Sequence, residues 1–134
     1  MGALALALVL FASPVHAAAP FPGFHTPSRN IYCGYNAAYG AYPASLRCDV
    51  RSGLKPEPRR RCELDWTGIA MSAAGGAAAE CAGDTIADRR LRVLNYGSTW
   101  RHGVFTCVSR RTGVTCRNTR GHGFFLSRTA WRVY

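Results

Sequence analysis

Two histidines and two clusters of arginine are the residues of this chain whose types suit chemistry on a phosphate. His102 follows Trp100-Arg101, and His122 sits between Gly121 and Gly123. One imidazole as base and the other as acid, with arginine on the phosphate, is an arrangement that cleaves phosphodiesters. No spacing motif selects the pair. Both histidines adjoin glycine in turn-like sequence, and for His122 a turn imidazole bonding a backbone carbonyl is the simpler account. Asp65 and Asp84 offer a second chemistry, the two carboxylates of glycoside hydrolysis. An aspartate that accepts turn amides explains each of them with fewer assumptions. Neither a Gly-x-Ser-x-Gly nucleophile motif nor a phosphate-cradling glycine loop occurs. The reading favoured is a non-enzymatic domain, with a small ribonuclease-like phosphodiesterase using His102 and His122 as the alternative.

The arginines point to binding. Arg59, Arg60 and Arg61 form the densest charge run, and Arg110 and Arg111 a second cluster. The chain carries 17 basic against 7 acidic residues, a net charge of +10, and every basic residue except Lys55 is arginine. Arginine pairs bidentately with phosphate and carboxylate and stays charged when partly buried. Such a protein, if exported, meets envelope phosphates, acidic polysaccharide and nucleic acid, and an anionic polymer is the expected partner. The plainer reading is a solvated, self-repelling surface. Tyr32, Tyr35, Tyr39 and Tyr42 gather near one hairpin, where exposed rings stack on sugars or bases and buried ones pack across strands. A third class is an inhibitor-type protein-binding module presenting the loop from Pro56 to Arg61.

The elements that position these residues begin after a leader. Residues 1–17, MGALALALVLFASPVHA, hold an apolar run too short to span a bilayer, then Val15-His16-Ala17, which suits signal peptidase, with Ala17-Ala18-Ala19 as a second cleavage site. Residues 18–134 are expected to form a single secreted domain, periplasmic or extracellular, and no later stretch is apolar enough to cross a membrane. All six cysteines lie there. Behind a leader, an even count reads as three disulfides in an oxidising compartment. Zinc is not expected, because no Cys-x-x-Cys or His-x-x-x-His spacing is present, and no cofactor motif appears.

Six cysteines allow 15 pairings. The sequential one, Cys33–Cys48, Cys62–Cys81 and Cys107–Cys116, is favoured, each bond being worth about 3 kcal/mol in the chain-entropy model. The motivation is a repeated plan. Val104–Ser109 and Val114–Cys116 are rich in β-branched and aromatic residues. With Arg111 and Thr112 at the tip, Cys107 falls opposite Cys116, while a bulge at Gly113 would shift that register by one. Ile31, Leu46, Phe105 and Val114 each stand two residues before a cysteine, on its face of the strand. Two stapled hairpins follow, Asn30–Tyr35 with Leu46–Val50 and the hairpin just described.

Between them lie a proline-broken loop from Arg51 to Arg61 and a short strand over Cys62–Trp66. A strand over 69–72, a Gly75-Gly76 turn and a return into Cys81 come next, then a strand at Leu91–Leu94. Gly123–Arg128 and Trp131–Tyr134 close the chain in strand-like sequence. Short strands with turn signals about every ten residues argue an all-β fold, a small disulfide-stapled sandwich or barrel of antiparallel hairpins.

The order Thr26-Pro27-Ser28-Arg29-Asn30-Ile31-x-Cys33, Leu46-Arg47-Cys48-Asp49, Leu64-Asp65-Trp66, Cys81-Ala82-Gly83-Asp84-Thr85 and Gly113-Val114-Thr115-Cys116-Arg117-Asn118, with Gly121-His122-Gly123-Phe124, resembles a family of small secreted bacterial proteins catalogued as a domain of unknown function. The resemblance covers nearly all of residues 18–134, and its most specific part is Gly113–Arg128. It implies secretion and a disulfide-bonded domain and carries over no functional residues. The family pattern has glycine where Arg29 stands, so a glycine-type turn is not expected there, and glycine directly after the tryptophan, where this chain has Thr67 and then Gly68.

Overall fold

The structure, a computed structural model, describes residues 1–3, 7–15 and 17–134. The expected leader includes residues 4–6 and 16, which lie outside the described residues. Among the described residues every regular element is a strand. One sheet is built from β1 (Gly23–His25), β2 (Ile31–Asn36), β3 (Ser45–Val50), β4 (Asp65–Ser72), β5 (Ala77–Ala82) and β6 (Arg92–Val93), in the order β5-β4-β3-β2-β1-β6. The second contains β7 (Thr99–His102), β8 (Phe105–Arg110), β9 (Gly113–Asn118), β10 (Gly123–Leu126) and β11 (Trp131–Val133), in the order β11-β10-β9-β8-β7. The two sheets pack as a sandwich and are not closed into a barrel. No helix of the described residues is long and apolar enough to cross a membrane.

Alternation makes the core. Leu46, Ile69 and Met71 point inward from the first sheet, and Phe105, Val114, Phe124 and Leu126 from the second, all at most 1% exposed. A hydrophobic side chain so buried contributes about 1.5–3 kcal/mol. The disulfides join Cys33 to Cys48, Cys62 to Cys81 and Cys107 to Cys116. Cys33 opposes Cys48 and Cys107 opposes Cys116 in register, so the staples lock two hairpins on their inner faces. The Sγ atoms of Cys33, Cys48 and Cys116 lie within 4.8 Å of one another, which stacks one staple on the other across the sandwich.

The hairpin tip is Arg111-Thr112, with Arg110 opposite Gly113 and no register shift. Gly113 has φ +146°, and a Cβ there would lie 2.6 Å from the Leu126 carbonyl oxygen. Only glycine admits that approach of β9 to β10.

Three local expectations are corrected. Cys62–Leu64 do not join a strand, because β4 begins at Asp65 and Cys62 is held by its bond to Cys81. The Leu91–Leu94 strand shrinks to Arg92–Val93 and pairs in parallel with β1, while Leu91 and Leu94 turn their side chains into the interior. Arg29 does adopt the left-handed conformation, φ +57°, in the turn between β1 and β2. That turn is closed by the Thr26 amide on the Ile31 carbonyl and the Arg29 amide on the Thr26 carbonyl, both at 2.9 Å, which hold arginine where glycine is easier.

Candidate functional site

Three turns that are distant in sequence meet at one end of the sandwich. The β8–β9 tip brings Arg110, Arg111 and Thr112. The β1–β2 turn brings Thr26, Ser28 and Asn30, and the β10–β11 turn brings Ser127, Arg128 and Thr129. They enclose an open cleft of about 330 Å³ with no carboxylate in its wall. Each turn is fixed from within. Thr26 Oγ1 lies 3.1 Å from Ser28 Oγ, and Ser127 Oγ accepts the Ala130 amide at 3.0 Å. The Arg111 guanidinium lies 4.9 Å from the centre of the Tyr96 ring, which supports the cation from one side. Arg110 and Arg128 make no ion pair among the described residues. Three cations over a hydroxyl- and amide-lined wall suit an oxyanion, with arginine taking the charge and the hydroxyls its remaining lone pairs.

The other cluster is less free than its sequence implies. Arg60 lies over the Trp66 ring at 4.7 Å and donates to the Ala79 carbonyl at 2.8 Å, so it covers the edge of the first sheet. Arg61 pairs with Glu63 at 2.7 Å, both side chains in solvent. Arg59 is exposed and outside every ion pair of the described residues. The loop carrying them is tied down: the Trp131 indole N–H donates to the Pro56 carbonyl at 2.7 Å. Trp131 opens β11, directly after the turn that holds Arg128.

The histidines are not brought together. His102 ends β7 and His122 precedes β10, at one end of the second sheet as their sequence context implies. Strands β8 and β9 lie between them. Three inter-strand steps amount to about 14 Å, too far for one phosphate to bridge. His102 stacks on Trp100 at 5.9 Å and meets the edge of Tyr35 at 4.4 Å, as a packing residue does. His122 faces Gly76, and its backbone amide donates to Asn118 Oδ1 at 3.2 Å.

Asp65 and Asp84 share the wall of a wider groove with Asp49 and Glu57. Asp84 is held by Arg47, whose Nη1 donates to it at 2.9 Å. That hydrogen bond, then the charge of Arg47, lower the Asp84 pKa. A glycosidase acid needs the opposite shift. Sequence reasoning passed over Asp49, the one buried carboxylate of the described residues. Arg47 Nε and Nη2 donate to its two oxygens at 2.8 and 3.0 Å, and the Ile86 amide donates at 3.0 Å. Burial acts to lower the Arg47 pKa, but the bonds and charges of Asp49 and Asp84 together raise it. The only sequence signal was the spacing of Arg47 and Asp49, two residues apart on one face of a strand.

Of the tyrosines, Tyr32 is buried and Tyr35 packs on Phe105 with ring centres 6.1 Å apart. Tyr39 and Tyr42 are exposed and joined only through their backbones.

The sequence matches a family described as "Family of unknown function (DUF6636)" over residues 5–134. Comparison with curated proteins and with solved structures gave no match.

Proposed function

The chain belongs to the Family of unknown function (DUF6636), and with no activity to inherit from it we propose that the protein is an exported, non-enzymatic domain that binds an anionic polymer. The cleft at the hairpin tip is the binding site. The observation that carries this reading is its one-sided charge: Arg110, Arg111 and Arg128 converge on a polar wall without a carboxylate, although the chain has carboxylates elsewhere. Arg59, exposed on the loop tied to Trp131, is included as a further contact of the polymer. A linear polyanion fits an open cleft better than a small ligand does, because successive charges meet successive arginines along a surface.

Export is part of the proposal. Three disulfides suit an oxidising compartment, and the apolar residues before Pro14 suit a leader. The intact mass of protein collected outside the cytoplasm should correspond to a chain starting at Ala18 or Pro20, and a retained Met1 would refute the leader.

The binding claim is tested by titrating labelled polyphosphate, an acidic polysaccharide and single-stranded DNA with the protein at low salt. The variant carrying R110Q, R111Q and R128Q should bind at least about tenfold more weakly than the parent with its thermal midpoint kept. Equal binding by the two proteins would remove the cleft from the proposal.

A further inference from the structure

A second basic cleft, of about 480 Å³, lies between the outermost strands of the two sheets, with Ala19 and the run from Phe21 to Gly23 at the start of β1 completing its wall. Strand β6 is the last strand of the first sheet, and β7 is the last strand of the second. Arg90 and Arg92 reach this cleft from one side and Thr99, Trp100, Arg101 and His102 from the other. Arg90 is partly neutralised by Asp88 at 2.7 Å, whereas Arg92 and Arg101 are exposed and have no ion pair among the described residues.

The backbone direction of β7 follows from the register of its neighbours. Cys107 and Cys116 have Cα atoms 4.1 Å apart, the close spacing of a non-hydrogen-bonded antiparallel pair. The amide and carbonyl of Cys107 therefore point away from β9 and toward β7, as those of Phe105 and Ser109 do by alternation. The Ser109 amide confirms this by donating to the Ser98 carbonyl at 3.1 Å. Trp100 and His102, which oppose Cys107 and Phe105, spend their backbone groups on β8. Thr99 and Arg101 then direct theirs outward, into the cleft.

An edge with free donors and acceptors is a template for another strand. Its arginines decide which strand. A second copy of this chain would bring Arg101 against Arg92 or Arg101, and like charges oppose that pairing. The same side chains attract carboxylates. We propose that the β7 edge takes up an extended acidic peptide segment of a partner protein, which adds to the second sheet by main-chain hydrogen bonds to Thr99 and Arg101 while its carboxylates pair with Arg92 and Arg101. Affinity comes from the ladder and selectivity from the arginines. This site is separate from the tip cleft and does not rest on the polymer-binding reading.

The test uses a capped peptide of about seven residues that alternates glutamate with valine, a length that covers one strand. Two controls carry the same charge: the same peptide with proline at alternate positions, and a short polyglutamate. Amide hydrogen exchange and chemical shifts are followed by NMR. The alternating peptide should protect the Thr99 and Arg101 amides and leave that of Trp100 as it was. The proline peptide should not protect them, since proline cannot extend the ladder. R92E with R101E should weaken binding by at least about tenfold, and the triple variant R110Q, R111Q and R128Q should leave it unchanged. Equal protection by the proline peptide or polyglutamate would reduce the effect to charge alone and overturn the proposal, as would undiminished binding by R92E with R101E or no protection in the parent protein.

Discussion

Arg47 grips Asp49 through two parallel hydrogen bonds, from Nε at 2.8 Å and Nη2 at 3.0 Å, with Asp49 2% exposed. The same guanidinium reaches Asp84 and its carbonyl, and Asp49 also accepts the Ile86 amide. One ion pair thus fastens the irregular segment after β5 to the outer side of β3. Removing one partner of such a pair leaves a charge in poor solvent, whereas replacing both with apolar groups often costs little. Asp49→Ala should therefore lose about 3 kcal/mol in urea unfolding, and Arg47→Met combined with Asp49→Leu should lose clearly less. If the double variant is as unstable as Asp49→Ala, the pair contributes more than its burial costs.

Acid should loosen the same segment from a second point. Arg90 holds the Asp88 pKa down to about 2 through a side-chain bond, and its backbone amide adds to this. Arg47 lowers that of Asp84 as well. A depressed folded pKa means stabilisation that is complete above the usual value of 3.8 and fades as pH falls through the folded value. Scanning calorimetry should find a level contribution from these groups above about pH 4 and a decline toward pH 2. Arg90→Gln should remove part of that decline. An unchanged acid limb in Arg90→Gln would show that Asp88 gains nothing from its partner.

Arg59 and Arg60 are neighbours in sequence with different work. Arg60→Gln removes a cation from the Trp66 ring and a donor from the Ala79 carbonyl, at a cost of about 1 kcal/mol or about 4 °C in Tm. Arg59 is exposed and makes no ion pair or cation–π contact among the described residues, so Arg59→Gln should leave Tm within about 1 °C. Thermal unfolding of the two single variants checks this directly, and equal midpoints would mean that the Trp66 contact adds nothing.

Arg29 invites the opposite change. A side chain at φ +57° bears strain of about 1 kcal/mol that glycine does not. Arg29→Gly should raise stability by up to about 1 kcal/mol, less the extra backbone freedom glycine gains on unfolding. A loss of stability in urea would show that the Arg29 side chain contributes contacts that outweigh the strain.

Arg29 also shows the boundary of what the chain discloses. The stapled hairpins were legible because alternation and turn length are local: Phe105, Cys107, Val114 and Cys116 share one face, and a two-residue tip sets the rest. Asp49 was not. Its alternation with Leu46, Cys48 and Val50 reads as a solvent-facing charge, and only the segment around Ile86 folding over that face buries it. The parallel pairing of β6 with β1 and the Trp131 contact to Pro56 join residues roughly 70 apart, through geometry that no local pattern carries. The tip cleft falls between these cases. Arg110 and Arg111 were visible as a cluster, but Arg128 and the hydroxyls of the β1–β2 turn join them only in the folded chain.

That convergence makes the salt dependence of binding the most direct measure of the cleft. Each phosphate contact by arginine releases a condensed counterion, so affinity for a DNA-like polymer falls as a power of salt concentration. With about four to six contacts, the parent protein should lose about two to three decades of affinity between 50 and 200 mM salt. Replacing Arg110, Arg111 and Arg128 with glutamine removes up to three contacts and should lower the log–log slope by about three, while Arg59→Gln should lower it by about one at most. Arg60→Gln serves as the internal control. Its guanidinium is engaged by Trp66 and Ala79, so its slope should match the parent even though its Tm falls. Binding that persists undiminished at high salt would point to a shape-specific pocket rather than a charged surface. Absence of binding to every anionic polymer at low salt would leave the arginines to solubility alone.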